Sequence, residues 1–298
     1  DADTLRKAMK GIGCDKKPIT EICTHRTNAQ RLEIVKAYKA AYGRDLIADL
    51  KSELHGNYED AIIALFTDPI EYDADELRKA MKGMGTNEDT LIEIISSRPA
   101  PILAQIKAKF NEKYKRDLEK DVKSETSGTL RKLLIALLQC SRSTNTMPNP
   151  AQSAAIAAEI HKAGEAKLGT DESVFNKYFC TLSPHELAAV SREYHKLTGH
   201  TILQAIDKEF SGDSKKTLRT IVYATLSPSE YFATRVHDAV KGLGTRDHLL
   251  IRAIVTRSEI DMPQIKQYYK QLFGKDMYDD VKNDISGEYR ELLLGIIG

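Results

Sequence analysis

At 298 residues, the chain is longer than an ordinary domain of roughly 100–200 residues, so its length predicts two domains or an array of repeats. Lys and Arg number 44 against 43 Asp and Glu, a formal net charge of +1, which argues against a broad nucleic-acid surface because such a surface needs a basic excess. No apolar run approaches the roughly 20 residues that cross a bilayer, and the amino terminus has no basic-then-apolar signal pattern, so a soluble protein is expected.

The first quarter of the chain has apolar residues at helical spacing and no alternating strand pattern. Leu32, Val35, Tyr38 and Tyr42 recur at intervals of three and four, which places them on one face of a helix. The same reasoning predicts five short helices in this quarter, at about 2–10, 17–25, 28–42, 45–54 and 57–67. The fold class expected is all-α.

Helix-start and turn signals then return at regular offsets along the chain. Thr27 followed by Gln30, and Ser183 followed by Glu186, match the capping box. An Asp or Thr is expected to cap the fourth helix of each quarter, and a glycine to permit the turn before the fifth. These residues are Asp45, Asp117, Thr201 and Asp276, and Gly56, Gly128, Gly212 and Gly287.

The offsets divide the chain into four repeats. They span residues 1–68, 69–140, 153–227 and 228–298. The segment between the second and third repeats is polar and contains prolines, so residues 141–152 are interpreted as a linker.

A glycine-rich loop recurs once in every repeat at a constant distance from an acidic residue. In each case 40 positions separate the last glycine of the loop from the acid. The pairs are Gly13 with Glu53, Gly85 with Glu125, Gly169 with Glu209, and Gly244 with Asp284. Helix capping alone does not explain a distant carboxylate at one interval four times.

This combination of loop and acid suits calcium. Glycines let a backbone turn tightly and present several carbonyl oxygens in one direction, and a carboxylate adds further hard oxygens. Calcium accepts six to eight oxygens in flexible geometry, whereas magnesium prefers a tighter octahedron and zinc prefers nitrogen or sulfur. Three carbonyls and a bidentate acid supply about five ligands, which leaves about two for water or an anionic ligand.

The loop tips indicate that this ligand is a membrane phosphate. The residue between the glycines is apolar in every repeat, and a lysine lies beside it. These residues are Ile12, Met84, Leu168 and Leu243, with Lys10, Lys82, Lys167 and Lys241. An apolar tip beside a basic residue and a partly filled calcium site favours an anionic membrane interface. The alternative is that the loops are only helix C-caps with a packed apolar residue; an EF-hand is excluded because its loop pattern is absent.

Taken together, the loops MKGIGC, MKGMGT, KLGT and VKGLGT with Glu53, Glu125, Glu209 and Asp284 resemble the annexin family over the whole chain. The resemblance implies a curved disc of four five-helix repeats, calcium sites on its convex face and calcium-dependent docking on acidic, phosphatidylserine-like phospholipids. It also implies an amino-terminal head, which is missing from this chain or trimmed, through which partner proteins bind. Self-association on membranes is a further possibility.

By the family pattern, the calcium ligands besides the four acids are backbone carbonyls. They belong to Met9, Gly11 and Gly13, to Met81, Gly83 and Gly85, and to Val240, Gly242 and Gly244. In the third repeat Lys167 stands where the other loops have glycine, so Gly164, Lys167 and Gly169 take these roles. The resemblance also implies accessory acidic ligands at Glu88, Glu172 and Asp247; the first repeat departs from the pattern, with Cys14 in place of Thr and Lys16 in place of the acid.

One register position on the second helix carries Glu21, Glu93, Lys177 and Arg252 in turn. Two acids and two bases at equivalent points suggest that repeats meet there with complementary charge. The family's polar central channel implies pairing of Glu93 with Arg252 and of Asp73 with Arg98. The alternative is exposed ion pairs worth about 0–1 kcal/mol each.

The cysteines, the histidines and the known catalytic motifs do not indicate a second function. Cys14, Cys23, Cys140 and Cys180 are irregularly spaced and are interpreted as reduced thiols, and the eight histidines keep no repeat register. No nucleophile elbow, phosphate loop or H-E-x-x-H motif is found, so an enzyme is not expected.

The function expected is calcium-dependent binding to acidic phospholipid membranes by a cytoplasmic protein that becomes peripheral to the membrane when calcium rises; unconventional secretion stays open. The alternatives are a helical-repeat scaffold that binds proteins without calcium, and an ion conductor through the charged centre.

Overall fold

A computed structural model describes residues 1–11 and 13–298. Repeats 1 and 2 each contain five helices, as the sequence predicts. In repeat 1 they are α1 Ala2–Ala8, α2 Lys16–His25, α3 Asn28–Tyr42, α4 Leu46–Glu53 and α5 Gly56–Leu65. In repeat 2 they are α6 Pro69–Ala80, α7 Glu88–Ser97, α8 Ala100–Tyr114, α9 Leu118–Glu125 and α10 Gly128–Leu138.

Repeats 3 and 4 follow the same plan. In repeat 3 the helices are α11 Pro150–Ala163, α12 Glu172–Thr181, α13 Pro184–Thr198, α14 Ile202–Glu209 and α15 Gly212–Leu226. In repeat 4 they are α16 Pro228–Val240, α17 Asp247–Val255, α18 Met262–Phe273, α19 Met277–Asp284 and α20 Gly287–Ile297. No strand occurs in the described part of the chain, so the all-α fold class is confirmed.

The expected helix caps are present. The side chains of Asp45 and Asp117 accept hydrogen bonds from the amides of Ala48 and Lys120, at 3.0 and 3.1 Å. Both capping boxes, at Thr27 and Ser183, are complete. The glycine that opens the last helix of each repeat has a positive φ, 66° at Gly56, which explains the need for glycine there.

The linker is shorter than predicted. Helix α11 begins at Pro150, so the last three residues assigned to the linker are helical. The side chain of Asn149 accepts a hydrogen bond from the amide of Gln152, and proline at the first position of a helix loses no hydrogen bond. These two local signals begin the helix three residues earlier than the repeat offset suggests.

The helices form two compact units that each combine two repeats. Unit 1 comprises residues 1–72 and 232–298, and unit 2 comprises residues 73–231. In unit 1, α2 packs on α20 and α5 packs on α17; in unit 2, α11 packs on α13, α7 on α15 and α10 on α12. The completely buried aromatic side chains include Tyr38 and Tyr269 in unit 1, and Phe110 and Phe175 in unit 2.

Candidate functional site

The glycine loops of repeats 2 and 4 have the same backbone conformation. Gly83 and Gly85 have φ values of 113° and 88°, and Gly242 and Gly244 have values of 109° and 80°. These angles lie in the region that L side chains rarely adopt, so glycine is required at all four positions. No atom lies within 4 Å of where a Cβ would be, so the loops face open space.

The loop of repeat 1 has a similar pair of backbone angles. Gly11 and Gly13 have φ values of 115° and 85°. The side chain of Met9 is buried at the end of α1. Ile12, predicted to contact the membrane, lies outside the described residues.

The carbonyl oxygens predicted as ligands in repeats 1, 2 and 4 have free lone pairs. None of the nine accepts a hydrogen bond from the residues that the structure describes. They belong to Met9, Gly11, Gly13, Met81, Gly83, Gly85, Val240, Gly242 and Gly244. Because an unpaired carbonyl in a tight loop is a ready oxygen ligand, these loops fit a hard cation.

The loop of repeat 3 is built differently. Gly164 has φ −122°, and its carbonyl accepts a hydrogen bond of 3.0 Å from the amide of Lys167. A Cβ on Gly164 would lie 3.0 Å from Cγ of Glu209, so the small residue lets the acid approach the loop. Gly169 keeps the positive φ, at 81°. A carbonyl has two lone pairs, so Gly164 retains one for a ligand.

A threonine hydroxyl holds the distant acid against the loop in three repeats. Oγ1 of Thr86 donates to Oε2 of Glu125 at 2.8 Å, and Oγ1 of Thr170 donates to Oε2 of Glu209 at 2.6 Å. In repeat 4 the corresponding bond joins Thr245 and Asp284, at 2.5 Å. The threonine directly follows the last glycine, so the loop and the acid 40 positions later are connected as the spacing predicts. No role of this hydroxyl is predicted from the sequence, although a threonine recurs at this position in three repeats.

Repeat 1 lacks this connection. Cys14 occupies the threonine position, and Glu53 receives no hydrogen bond from the described residues. Burial raises the pKa of the Cys14 thiol, and the negative charge of Glu53 raises it further. The acid therefore lies near the loop, but it is not held there by a hydroxyl.

A cavity marks the site of repeat 4. It has a volume of about 360 Å³, and Val240, Gly242 and Asp284 line it. Two basic residues, Lys241 and Lys275, also line it. The cavity thus brings together two carbonyl-bearing residues and the distant acid of one predicted ligand set, with positive charge beside them that favours an anion.

The described apolar tips are fully exposed. Met84, Leu168 and Leu243 have relative accessibilities of 106, 105 and 108%. The lysines beside them are exposed as well: Lys10, Lys82, Lys167 and Lys241. An apolar side chain with this much contact with water gains free energy by entering an apolar phase. The packed C-cap alternative fails for these three tips, since none of them packs against its helix.

The three predicted accessory acids share a different environment. Glu88, Glu172 and Asp247 are each the first residue of a helix, where a carboxylate is favoured by the helix dipole. Glu172 also accepts a hydrogen bond from Thr129. Helix capping electrostatics therefore accounts for these positions without a metal, and a ligand role remains a prediction.

The charged position that recurs on the second helix of each repeat differs in burial from one repeat to another. Glu21 and Lys177 are exposed, whereas Glu93 and Arg252 are 1 and 2% exposed. Nζ of Lys177 lies 3.0 Å from the hydroxyl of Tyr178. That repeats meet at this position with complementary charge remains a prediction.

Within unit 2 the predicted pair of Asp73 and Arg98 is present. The guanidinium of Arg98 donates from Nε and Nη2 to the two carboxylate oxygens, at 2.7 and 2.9 Å. Both side chains are less than a tenth exposed, so the exposed-pair alternative is wrong here. Removing one partner of such a buried pair is expected to be strongly destabilising.

No cluster of three or more His, Cys, Asp or Glu side chains that could hold a metal occurs in residues 1–11 and 13–298. The predicted sites contain one carboxylate and three carbonyls each, so they do not have this form. No described helix is long and apolar enough to cross a membrane. All four cysteines are free.

Comparison with known proteins gives a consistent result. The family model Annexin matches residues 1–65, 72–137, 156–221 and 231–296. The chain is 44% identical to human annexin A7 over 298 residues, which is the whole chain and 61% of that relative, so it spans less than two thirds of its length. Among solved structures, annexin III superposes with a TM-score of 0.97 at 40% identity, covering 100% of this chain and 92% of that one. A calcium-bound annexin (Sm)1 superposes with a TM-score of 0.88 at 32% identity, covering 100 and 89%.

Proposed function

The chain belongs to the annexin family, and we propose that it binds acidic phospholipid membranes in a calcium-dependent manner through its four loop-and-acid sites. One observation carries the proposal. Carbonyl oxygens without hydrogen bonds, an exposed apolar side chain and a carboxylate that is hydrogen-bonded to the loop threonine lie together at one glycine loop. The calcium-bound state named for annexin (Sm)1 supports calcium as the cation.

Within each site, different residues bind the cation, position the carboxylate and contact the membrane. The loop carbonyls and the carboxylate would hold calcium, which when bound supplies the positive charge that links these oxygens to a lipid phosphate. In repeats 2, 3 and 4 the threonine hydroxyl keeps the carboxylate in place before binding, so less ordering is needed. The apolar tip enters the interface, and the neighbouring lysine attracts anionic headgroups.

The four sites are not equivalent in this proposal. Repeats 2 and 4 combine two positive-φ glycines, three free carbonyls and a threonine-held acid. Repeat 3 has one of its carbonyls engaged by Lys167, and repeat 1 lacks the threonine. We therefore assign the tightest sites to repeats 2 and 4. A single carboxylate leaves each site with net positive charge, so the affinity without lipid is weak.

In a cell, this mechanism makes the protein cytoplasmic at low calcium and peripheral to the membrane when calcium rises. The direct test is sedimentation with phosphatidylserine vesicles, with calcium and with excess chelator. We expect binding only with calcium and only to anionic vesicles. Equal binding in chelator would instead favour the scaffold alternative, and no binding at millimolar calcium would refute the proposal.

Glu125→Gln tests one site within this framework. The substitution removes the charge that calcium needs and retains the size of the side chain, so we expect the half-maximal calcium concentration for vesicle binding to rise about tenfold at this site. The matched control is Glu33→Gln, which neutralises an exposed acid on α3. Circular dichroism should show unchanged helix content in both. An unchanged calcium requirement in Glu125→Gln would show that the ligand assignment is wrong.

A further inference from the structure

A cavity of about 370 Å³ lies within unit 2, between repeats 2 and 3 and against the linker. Residues at the end of α7, at the start of α8, in the linker, and at the ends of α12 and α15 line it. Its volume falls in the range of roughly 300–1,000 Å³ that is typical of small-molecule sites. None of its residues belongs to a loop-and-acid site.

The cavity contains a charged group without an acidic partner. Arg142, from the linker, donates from Nη1 to the carbonyl of Leu182 at 2.6 Å and from Nη2 to the carbonyl of Phe179 at 2.9 Å. Burial lowers the pKa of this guanidinium, but arginine stays charged at neutral pH. Among the described residues, no carboxylate oxygen lies within 4.0 Å of it. Two of its five N–H groups are used, and its charge is balanced only by carbonyl dipoles.

Unit 1 has the same arrangement with an acid included. Arg31 donates to the carbonyls of Cys23 and Arg26, which occupy the register positions of Phe179 and Leu182. There, Nη2 also donates to Oε1 of Glu259, at 2.9 Å. The chain therefore uses an arginine twice to close the same helix end. In unit 1 a carboxylate completes the site, and in unit 2 the corresponding charge is not paired.

A second polar group in the same cavity has no partner. Ser96 is 5% exposed, and its Oγ makes no hydrogen bond with any residue that the structure describes. A buried hydroxyl without a partner costs free energy, so such a group is unusual in a native structure. The remaining wall is mainly apolar and includes Pro101, Leu137 and Ala224.

We propose that this cavity binds a small amphipathic carboxylate, with its acid group at Arg142 and Ser96 and its short alkyl chain against Pro101, Leu137 and Ala224. The ligand carboxylate takes the part that Glu259 plays in unit 1. Its oxygens accept from the unused N–H groups of Arg142 and from the hydroxyl of Ser96, and its alkyl chain removes apolar wall from water.

Binding of octanoate to the full chain tests this proposal. Isothermal titration in excess chelator keeps the measurement independent of the calcium sites. We expect saturable one-to-one binding of octanoate, at least tenfold weaker binding of octanol, and none of octylammonium or inorganic phosphate. Equal affinity for octanoate and octanol would overturn the role of Arg142, and no octanoate binding at millimolar concentration would overturn the site.

Three variants locate the bound octanoate. Ser96→Ala removes the unpartnered hydroxyl and should weaken binding about threefold to tenfold without lowering the melting temperature. Arg142→Gln should weaken it at least tenfold. Because Arg142 also closes α12, Ala224→Leu serves as a second test that fills the cavity and keeps the guanidinium. Full octanoate affinity in Ala224→Leu would place the ligand elsewhere. Calcium-dependent vesicle binding should be unchanged in Ser96→Ala and Ala224→Leu, which separates this site from the membrane function.

Discussion

At the scale of single residues, the threonine after the glycine loop of repeats 2, 3 and 4 explains how a distant acid is held at the loop. In repeat 2, Thr86 belongs to the loop and Glu125 ends α9, and a 2.8 Å hydrogen bond joins them. In repeat 1 the same place holds Cys14, a weak donor with a raised pKa. One hydroxyl therefore distinguishes a preorganised acid from an acid that must be ordered on binding.

Reciprocal substitutions test this difference. Thr86→Ala should raise the calcium concentration needed for vesicle binding about tenfold or more, since a group that orients a metal ligand typically affects metal affinity by roughly 10–100-fold. Cys14→Thr should lower the requirement at repeat 1 by restoring the hydroxyl. Thr86→Ser, which keeps the donor, is the matched control. If Thr86→Ala and Thr86→Ser behave alike, the hydroxyl does not orient the acid.

Repeat 3 contains a cluster of hydrogen-bonding side chains around one carboxylate, which the sequence does not predict. In repeat 1, the buried Asp49 accepts from Tyr38 at 2.7 Å, whereas Ala205 occupies the position of that acid in repeat 3. Glu165, beside the glycine loop, takes over: it accepts from Tyr194 at 2.6 Å and from His200 at 3.0 Å. Nζ of Lys208 lies 3.2 Å from the same carboxylate. Loss of an acid on one helix is thus compensated by an acid in a loop.

This cluster predicts a pH-dependent stability. Burial alone would raise the pKa of Glu165, but hydrogen bonds from Tyr194, Lys208 and His200 outweigh it and hold the pKa below its usual value. The carboxylate therefore stabilises the fold above the unfolded pKa of about 4.3, and this contribution is lost as the pH falls through the lower folded pKa.

Glu165→Gln should accordingly lower the free energy of unfolding by about 1 kcal/mol at pH 7. Urea denaturation from pH 7 to about pH 3 should show this difference from the wild type shrinking below about pH 4.3, as the wild-type carboxylate protonates. Glu33→Gln, at an exposed acid, should differ from the wild type by less than about 0.5 kcal/mol throughout. A Glu165→Gln difference that stays constant with pH would show that the charge is not responsible.

At the scale of helices, the acid of each site depends on a short fourth helix. Helix α9 has eight residues, and Glu125 is its last. An isolated helix of this length is marginal in water, so caps and packing decide whether it forms. Asp117 caps α9 through the amide of Lys120, and Leu118 and Val122 are buried beneath it.

Asp117→Ala should therefore lower the free energy of unfolding by about 1 kcal/mol, because the helix loses its N-cap. Asp117→Asn retains the accepting oxygen, so it should lower the free energy of unfolding by only a few tenths of about 1 kcal/mol. Thermal denaturation followed by circular dichroism measures both. Equal losses in the two variants would assign the effect to charge and not to capping.

At the scale of the whole molecule, the two units each carry two of the four proposed sites. Unit 1 contains Asp284 and Glu53, and unit 2 contains Glu125 and Glu209. A ligand that binds only the folded state raises stability by mass action, by about 2.7 kcal/mol at one hundred times its dissociation constant. Calcium should therefore stabilise the protein without any lipid if the sites exist.

We expect the melting temperature to rise with calcium up to the millimolar range and to change little with magnesium, which prefers a tighter octahedron. The double variant Glu125→Gln/Asp284→Asn should lose most of the calcium-induced rise, since it removes the acid from the two best-formed sites. Differential scanning calorimetry with calcium or chelator measures this. A calcium-induced rise as large in the double variant as in the wild type would contradict the site assignment.

The helical class, the four repeats, the caps and the pairing of loop with acid can all be predicted from the amino-acid sequence alone. These features depend on interactions between residues three or four apart, or on an interval that the chain repeats four times, so they can be read without knowing the packing. The positive φ angles at Gly83 and Gly242 follow from the same local logic.

Which side chains meet across helices depends on the packing of the helices. The hydroxyl of Thr86 on Glu125, the burial of Asp73 with Arg98, the cluster around Glu165 and the reach of Arg142 to the end of α12 all join residues distant in sequence. The physical reason is that a side chain's partners are set by how helices pack and not by its spacing along one helix. The linker shows this most clearly. Its polar sequence predicts only a connection between two repeats, but its Arg142 lines a cavity of unit 2.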